Sequence, residues 1–168
     1  MKVLITGHKG FVGRHFVKYF KQRNAEIVGV DVKDGLDCRD FFKTNDEKYD
    51  LVVHLKEEFI DLNNVSNPDF TYGWSKLTGE MLAEFAKKQG LKVYIFRPFS
   101  GFGEDQDLTY PVPSFVDRVL NKVDQFEIWG DGTQVRDFIY IDDIVEATMK
   151  AVELDIQQPI NLGSGIPV

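Results

Sequence analysis

At 168 residues, 43% hydrophobic and 28% charged, the chain has globular composition and room for one domain with a core rather than two. Its net charge of -7, with no run of Lys or Arg, argues against non-specific nucleic-acid binding, which draws its affinity from neutralised phosphates. Cys38 is the only cysteine, so one chain can build neither a disulfide nor a cysteine-based metal site.

The first predicted element is a strand at residues 2–6, short, apolar and β-branched. Gly7, Gly10 and Gly13 follow, and Phe11, Val12, His15, Phe16, Tyr19 and Phe20 then recur at helical spacing. Asn24-Ala25 breaks that helix, residues 26–30 form a second strand, and Asp31 ends it. A short helix is expected near Arg39 to Lys43 and a third strand at 50–55, with a polar loop over 56–71. A long amphipathic helix runs from Tyr72 to Gln89, with Leu77, Met81, Leu82 and Phe85 as its apolar stripe and Gly90 as its stop. The next strand covers 91–96 and ends at Arg97-Pro98. A helix from about Pro113 to Asn121, a short strand at 126–129 and a turn at Gly130–Thr133 come next. Phe138 to Ile141 reads as a short strand or an extended segment, Asp142 caps a helix reaching about Leu154, and residues 159–162 form a last strand. Nearly continuous apolar strands alternating with helices predict an α/β fold built on a parallel sheet.

Two further expectations concern location and metals. No stretch approaches the roughly 18 apolar residues of a membrane span, and the N-terminal apolar run is too short for a signal peptide, so a cytoplasmic protein is expected. His8, His15 and His54 show no ligand spacing, so no metal site is expected.

The spacing Gly7-x-x-Gly10-x-x-Gly13 lies between a strand and a helix. Glycine lets the main chain approach a phosphate, and a helix start offers N–H groups and the positive end of the dipole. The arrangement predicts a Rossmann-type turn holding a pyrophosphate, with Phe11 and Val12 in the helix's first turn. Asp31 closes the second strand, where a carboxylate accepts a ribose 2′-hydroxyl and repels a 2′-phosphate. NAD is therefore expected rather than NADP, although Lys9, Arg14 and Lys33 keep NADP open as the lesser option.

Several further motifs stand in a telling order: Gly7-His8-Lys9-Gly10-Phe11-Val12-Gly13, His54-Leu55, Tyr72-Gly73-Trp74-Ser75-Lys76, Arg97-Pro98-Phe99, and Trp129-Gly130-Asp131-Gly132-Thr133-Gln134-Val135-Arg136-Asp137-Phe138. Together they resemble the NAD-dependent epimerase/dehydratase family, extended short-chain dehydrogenases that act on nucleotide sugars. The resemblance implies Tyr72 and Lys76 as the catalytic pair. Four residues apart on a helix, they project from one face. A phenol with a pKa of about 10 is a poor base unless a nearby cation stabilises the phenolate, and an ammonium at Lys76 serves that end. Lys76 would also bind the nicotinamide ribose. The same resemblance implies that Asp37 (through its carboxylate) and Cys38 (through its backbone) contact adenine. It also places Leu55 under the cofactor, Pro98 and Phe99 beside the nicotinamide, and Arg136 on the substrate diphosphate. Asp37 also suits a helix N-cap, and Arg136 a salt bridge to Asp137, Asp142 or Asp143.

The chain departs from the family pattern in two places. Between His54 and Tyr72 only a polar loop remains where the family carries a further helix and a strand ending in a substrate-binding Ser or Thr. Ser66 and Thr71 lie nearby, yet neither ends an apolar strand. Lys56-Glu57-Glu58 also puts charges where the family has small residues. Removing one whole helix–strand unit still leaves a right-handed crossover. The sequence then stops at Val168, ahead of the family's substrate-binding lobe. The expectation is thus a doubly wound, Rossmann-like single domain over residues 1–168, one helix–strand unit short, in which 100–168 supply a reduced substrate lobe. The expected function is an epimerase or reductase on a nucleoside-diphosphate sugar, with a homodimer through the Tyr72 helix. The competing expectation is a weakly active or inactive binding protein of the same descent.

Overall fold

The computed structural model describes residues 1–55, 70–125, 127 and 130–168, with side chains in the second stretch from Gly73 onward. Residues 56–69 of the expected loop, Ser66 among them, the side chain of Thr71 and most of the strand expected at 126–129 lie outside the described residues, while residues 70 and 71 already belong to a helix rather than to the loop. The chain divides into two units, Met1–Glu58 with Glu104–Ser114, and Phe59–Gly103 with Phe115–Val168.

In the first unit β1 (Lys2–Thr6) leads into α1 (Phe11–Lys21), β2 (Glu26–Val30), a 3-10 turn at Val32–Asp34, α2 (Cys38–Thr44) and β3 (Leu51–His54). The strands are parallel in the order β2-β1-β3, with Val3 opposite both Ile27 and Leu51. β1 is central, and its Val3, Leu4 and Ile5 are fully buried, as a continuous apolar run between two neighbours requires. On α1, Phe16 and Phe20 stand four residues apart, stack at 6.4 Å and are buried. Lys18 and Lys21 sit in its last turn, where the dipole favours cations, and Asn24 at φ 55 turns the chain back toward β2. The order 2-1-3 reverses direction at β1, so the crevice of this sheet lies at the carboxyl ends of β1 and β3.

The second unit holds α3 (Phe70–Lys88), β4 (Phe96–Pro98), β5 (Ser100–Phe102), β6 (Phe138–Tyr140), α5 (Ile141–Glu153) and β7 (Ile160–Leu162). α4 (Pro111–Leu120) begins in the first unit and ends in the second. β4 pairs in parallel with β7, and β5 with β6. α5 buries Ile141, Ile144, Val145, Met149 and Ala151 along one face. No helix among the described residues is long and apolar enough to cross a membrane.

Three sequence expectations are corrected in this unit. The strand placed at 91–96 begins only at Phe96 and extends to Pro98, because the parallel register with β7 runs from Phe96 to Pro98. Lys92 and Tyr94 instead reach Asp155, at 3.3 and 2.6 Å. Asp142 does not cap α5. Tyr140 holds that position without a side-chain bond, and Asp142 and Asp143 lie in the first turn, where the dipole favours them. Finally, Met81, Leu82 and Phe85 do not face the core; each is more than 60% exposed. Polar anchors set the rotation of α3. Glu80 accepts two bonds from Arg97, and Lys87 donates to the Gln157 carbonyl at 2.8 Å, so the face bearing Gly73, Leu77 and Glu80 turns inward.

Candidate functional site

The glycine turn joins β1 to α1 at the crevice. Gly7 adopts φ +71, donates its N–H to the Val30 carbonyl at 2.8 Å and accepts from Gly10 N–H at 3.0 Å. A Cβ on Gly7 would lie 2.9 Å from the Leu55 carbonyl oxygen, and one on Gly13 would lie 2.0 Å from the Gly7 oxygen. Both positions therefore demand glycine, and Leu55, directly after β3, lies against the turn. α1 starts at Gly10 with no side-chain cap and no acidic residue in its first turn, so Phe11, Val12 and Gly13 begin a helix whose positive end carries no carboxylate of its own. These residues fit a dinucleotide pyrophosphate.

Asp31 ends β2 and is buried. It accepts Lys9 N–H at 2.8 Å and Lys33 N–H at 2.9 Å, one on each oxygen. Burial is the largest influence and works to raise its pKa, but the two backbone donors and the charges of His8 and Lys33 together hold the carboxyl below its ordinary value. Asp31 is thus an anion at neutral pH, with lone pairs left to accept a hydroxyl. Asp37 is the N-cap of α2, accepting Arg39 N–H at 2.8 Å; the Arg39 guanidinium also bonds it, and together they hold its pKa at about 2. Cys38 opens that helix and is half-buried.

The remaining candidates belong to the second unit. Lys76 is half-buried on α3, one turn after Tyr72, whose side chain lies outside the described residues. Pro98 ends β4, and Phe99 donates its N–H to the Leu162 carbonyl at 2.8 Å with its ring against Gly163. Arg136 is exposed. Its guanidinium donates to the Val135 carbonyl at 3.0 Å, and among the described residues it forms no ion pair with Asp137, Asp142 or Asp143. An open pocket of about 500 Å³ is lined by Phe102, Phe138, Tyr140, Asp143, Asn161 and Ser164.

Sequence reasoning missed several polar side chains that shape these segments. Asp137 accepts Ser164 N–H, Ser164 Oγ and Gly165 N–H within 2.9 Å and so fixes the Gly163–Gly165 turn. Asp105 receives Arg14 Nε at 3.0 Å and lies 2.8 Å from His15 Nε2. Nothing local in the sequence marks either contact, since the partners are 27, 91 and 90 residues away. Among the described residues no group of three or more His, Cys, Asp or Glu side chains is placed to hold a metal ion.

Comparison with known proteins bears on this arrangement. The sequence model described as "NAD dependent epimerase/dehydratase family" matches residues 3–66 and 41–163. A dTDP-4-dehydro-6-deoxy-D-allose reductase from a Streptomyces species is 24% identical over 235 aligned positions, covering 90% of this chain and 72% of the reductase. That alignment is longer than the 168-residue chain, so the reductase carries segments with no counterpart here. Among solved structures, a UDP-glucose 4-epimerase from Thermotoga maritima, with UDP-glucose, superposes with a TM-score of 0.80 at 22% identity, covering 100% of this chain and 78% of that one. A UDP-glucuronic acid 4-epimerase from Bacillus cereus, in complex with UDP-glucuronic acid and NAD, gives 0.75 at 23% identity, covering 100% and 79%. These likenesses confirm the α/β, Rossmann-like fold expected from the sequence.

Proposed function

The chain belongs to the NAD-dependent epimerase/dehydratase family, and from that premise we propose that it is an NAD-dependent oxidoreductase of the epimerase or reductase type acting on a nucleoside-diphosphate sugar. The observation that carries the cofactor reading is the turn at Gly7–Gly13, where neither Gly7 nor Gly13 has room for a side chain, with the anionic Asp31 at the neighbouring strand end. In this reading Gly7, Gly10, Phe11, Val12 and Gly13 hold the pyrophosphate and Asp31 the adenosine ribose. Asp37 and Cys38 line the adenine side, and Leu55 passes under the cofactor; Pro98, Phe99, Tyr72 and Lys76 line the nicotinamide side.

NAD supplies a hydride acceptor when bound. The chain's own work is to move the proton. Tyr72, as phenolate, takes it from a sugar hydroxyl, and the Lys76 ammonium one helical turn away lowers the cost of that anion. Arg136, exposed and without an ion pair to Asp137, Asp142 or Asp143, binds the substrate diphosphate with a guanidinium that stays charged and can grip two oxygens. The chain works as one cytoplasmic Rossmann-like domain, with residues 100–168 contributing to the substrate side. It pairs with a second copy through α3, whose Trp74, Met81, Leu82 and Phe85 are exposed.

One observation favours a second reading, a binding protein with little or no turnover: the aligned reductase has internal segments that this chain lacks. The test is a panel of UDP-, dTDP- and GDP-sugars incubated with the protein and NAD. Turnover that Tyr72→Phe abolishes, with NADH still bound, supports catalysis. Retained NADH binding without turnover on any sugar supports the binding protein.

A further inference from the structure

Of the three cations that could welcome a 2′-phosphate, Arg14 and Lys9 are already held by carboxylates. Arg14 donates to the Asp105 carboxylate and carbonyl, at 3.0 and 2.9 Å. Lys9 is fixed at its backbone, where its N–H meets Asp31, and its ammonium is bound by Asp34 Oδ1. The 3-10 turn at Val32–Asp34 brings Asp34 back to that point, three residues after the carboxylate that closes β2. Asp34 is steadied on its other side, since its Oδ2 lies 3.4 Å from His8 Nε2. The His8 ring in turn packs against the bare backbone of Gly29, where an added Cβ would stand 2.6 Å from ring carbon. His8 Nδ1 is buried without a hydrogen-bond partner among the described residues, so packing on Gly29, rather than a second polar contact, holds the ring in place.

We propose that Asp34 determines dinucleotide specificity jointly with Asp31, by masking Lys9 against the 2′-phosphate of NADP. The inference rests on the reading that Asp31 receives the adenosine ribose. Asp31 alone repels a 2′-phosphate through its charge. Asp34 adds a second negative charge beside the same ribose and occupies the nearest ammonium. Neutralising Asp34 removes that charge and releases Lys9, so both effects favour the phosphorylated cofactor and leave the unphosphorylated one nearly untouched.

The experiment measures dissociation constants of NADH and NADPH by fluorescence for the parent 168-residue chain, Asp34→Asn, Lys9→Ala and the double variant. The parent prefers NADH. Asp34→Asn tightens NADPH about ten-fold, the size expected for one charge change at close range in water, and moves NADH less than about three-fold. The double variant loses the gain, because Lys9 is the group released. Lys9→Ala alone weakens NADPH relative to NADH, since it leaves the Asp34 carboxylate uncompensated beside the 2′-phosphate. An unchanged ratio in Asp34→Asn, or a gain that persists without Lys9, overturns the masking role while leaving the NAD reading intact. A parent that binds neither dinucleotide overturns both.

Discussion

Replacing Gly13 by Ala tests the turn most directly, because the structure supplies both the clash and its control. The new methyl would stand 2.0 Å from the Gly7 carbonyl oxygen, 2.8 Å from His8 Cα and 2.9 Å from the Gly7 carbonyl carbon. All three are backbone atoms, so no side chain can swing aside. Comfortable contact needs roughly 3.5 Å, and α1 must therefore retreat from β1 by more than about 1 Å. Such overpacking costs about 3 kcal/mol, at the upper end of its usual range. Gly79→Ala is the control. A Cβ there meets nothing within 4 Å, and the residue lies inside α3, so alanine gains about 1 kcal/mol from helix propensity alone. The two identical substitutions should differ by about 4 kcal/mol, close to a thousandfold in the folding equilibrium. Urea unfolding followed by circular dichroism reads the difference, and NADH fluorescence should show weaker binding only for Gly13→Ala. A Gly13→Ala protein as stable as its parent, or a Gly79→Ala protein that is less stable, would refute the packing described for these helices.

Other outcomes follow from the same structure. Phe20→Ala, at a side chain fully removed from water, should lower stability by about 3–5 kcal/mol in urea titration. Glu80→Gln strands the half-buried Arg97 and should cost roughly 2 kcal/mol, less than for a fully buried pair; a double-mutant cycle with Arg97→Met should recover a coupling of about 1 kcal/mol or more. The depressed pKa of Asp31 fixes a sign: its stabilising contribution is complete above the ordinary carboxyl value and disappears as pH falls through the lower folded value. Between pH 5 and 2, on the order of the carboxyl range, the parent should thus lose stability more steeply than Asp31→Asn. Equal slopes would show that Asp31 titrates alike in both states.

Legibility from the sequence followed the range of the interactions. The alternation of β1, α1 and β2, the strand at 51–54 and the glycine turn were readable because each rests on residues a few positions apart. The Asp37 cap was readable for the same reason, as an oxygen two residues ahead of the N–H it accepts. Strand boundaries near Phe96 were not, because a strand ends where its partner ends, and β7 lies more than sixty residues further on. The orientation of α3 was misread for a related reason. Its hydrophobic periodicity predicted Met81, Leu82 and Phe85 inside, while the Glu80–Arg97 and Lys87–Gln157 contacts set the rotation instead. Of the candidate site, Asp31 and the glycines were visible as types at fixed spacing. Asp34 and His8 were not, since only the fold brings one beside Lys9 and lays the other on Gly29.

The contact of Arg14 and His15 with Asp105 has a consequence for how the protein is made. It completes the first unit with a segment that leaves the ribosome ninety residues after His15. At typical translation speeds that delay is about 5–20 s, long compared with the time a small helix or strand needs to form. Closing so large a loop costs about 4 kcal/mol of chain entropy, more than a half-exposed ion pair returns. The nascent chain must therefore organise β1, α1 and β2 first and recruit Asp105 late, together with the buried polar Gln106 beside it.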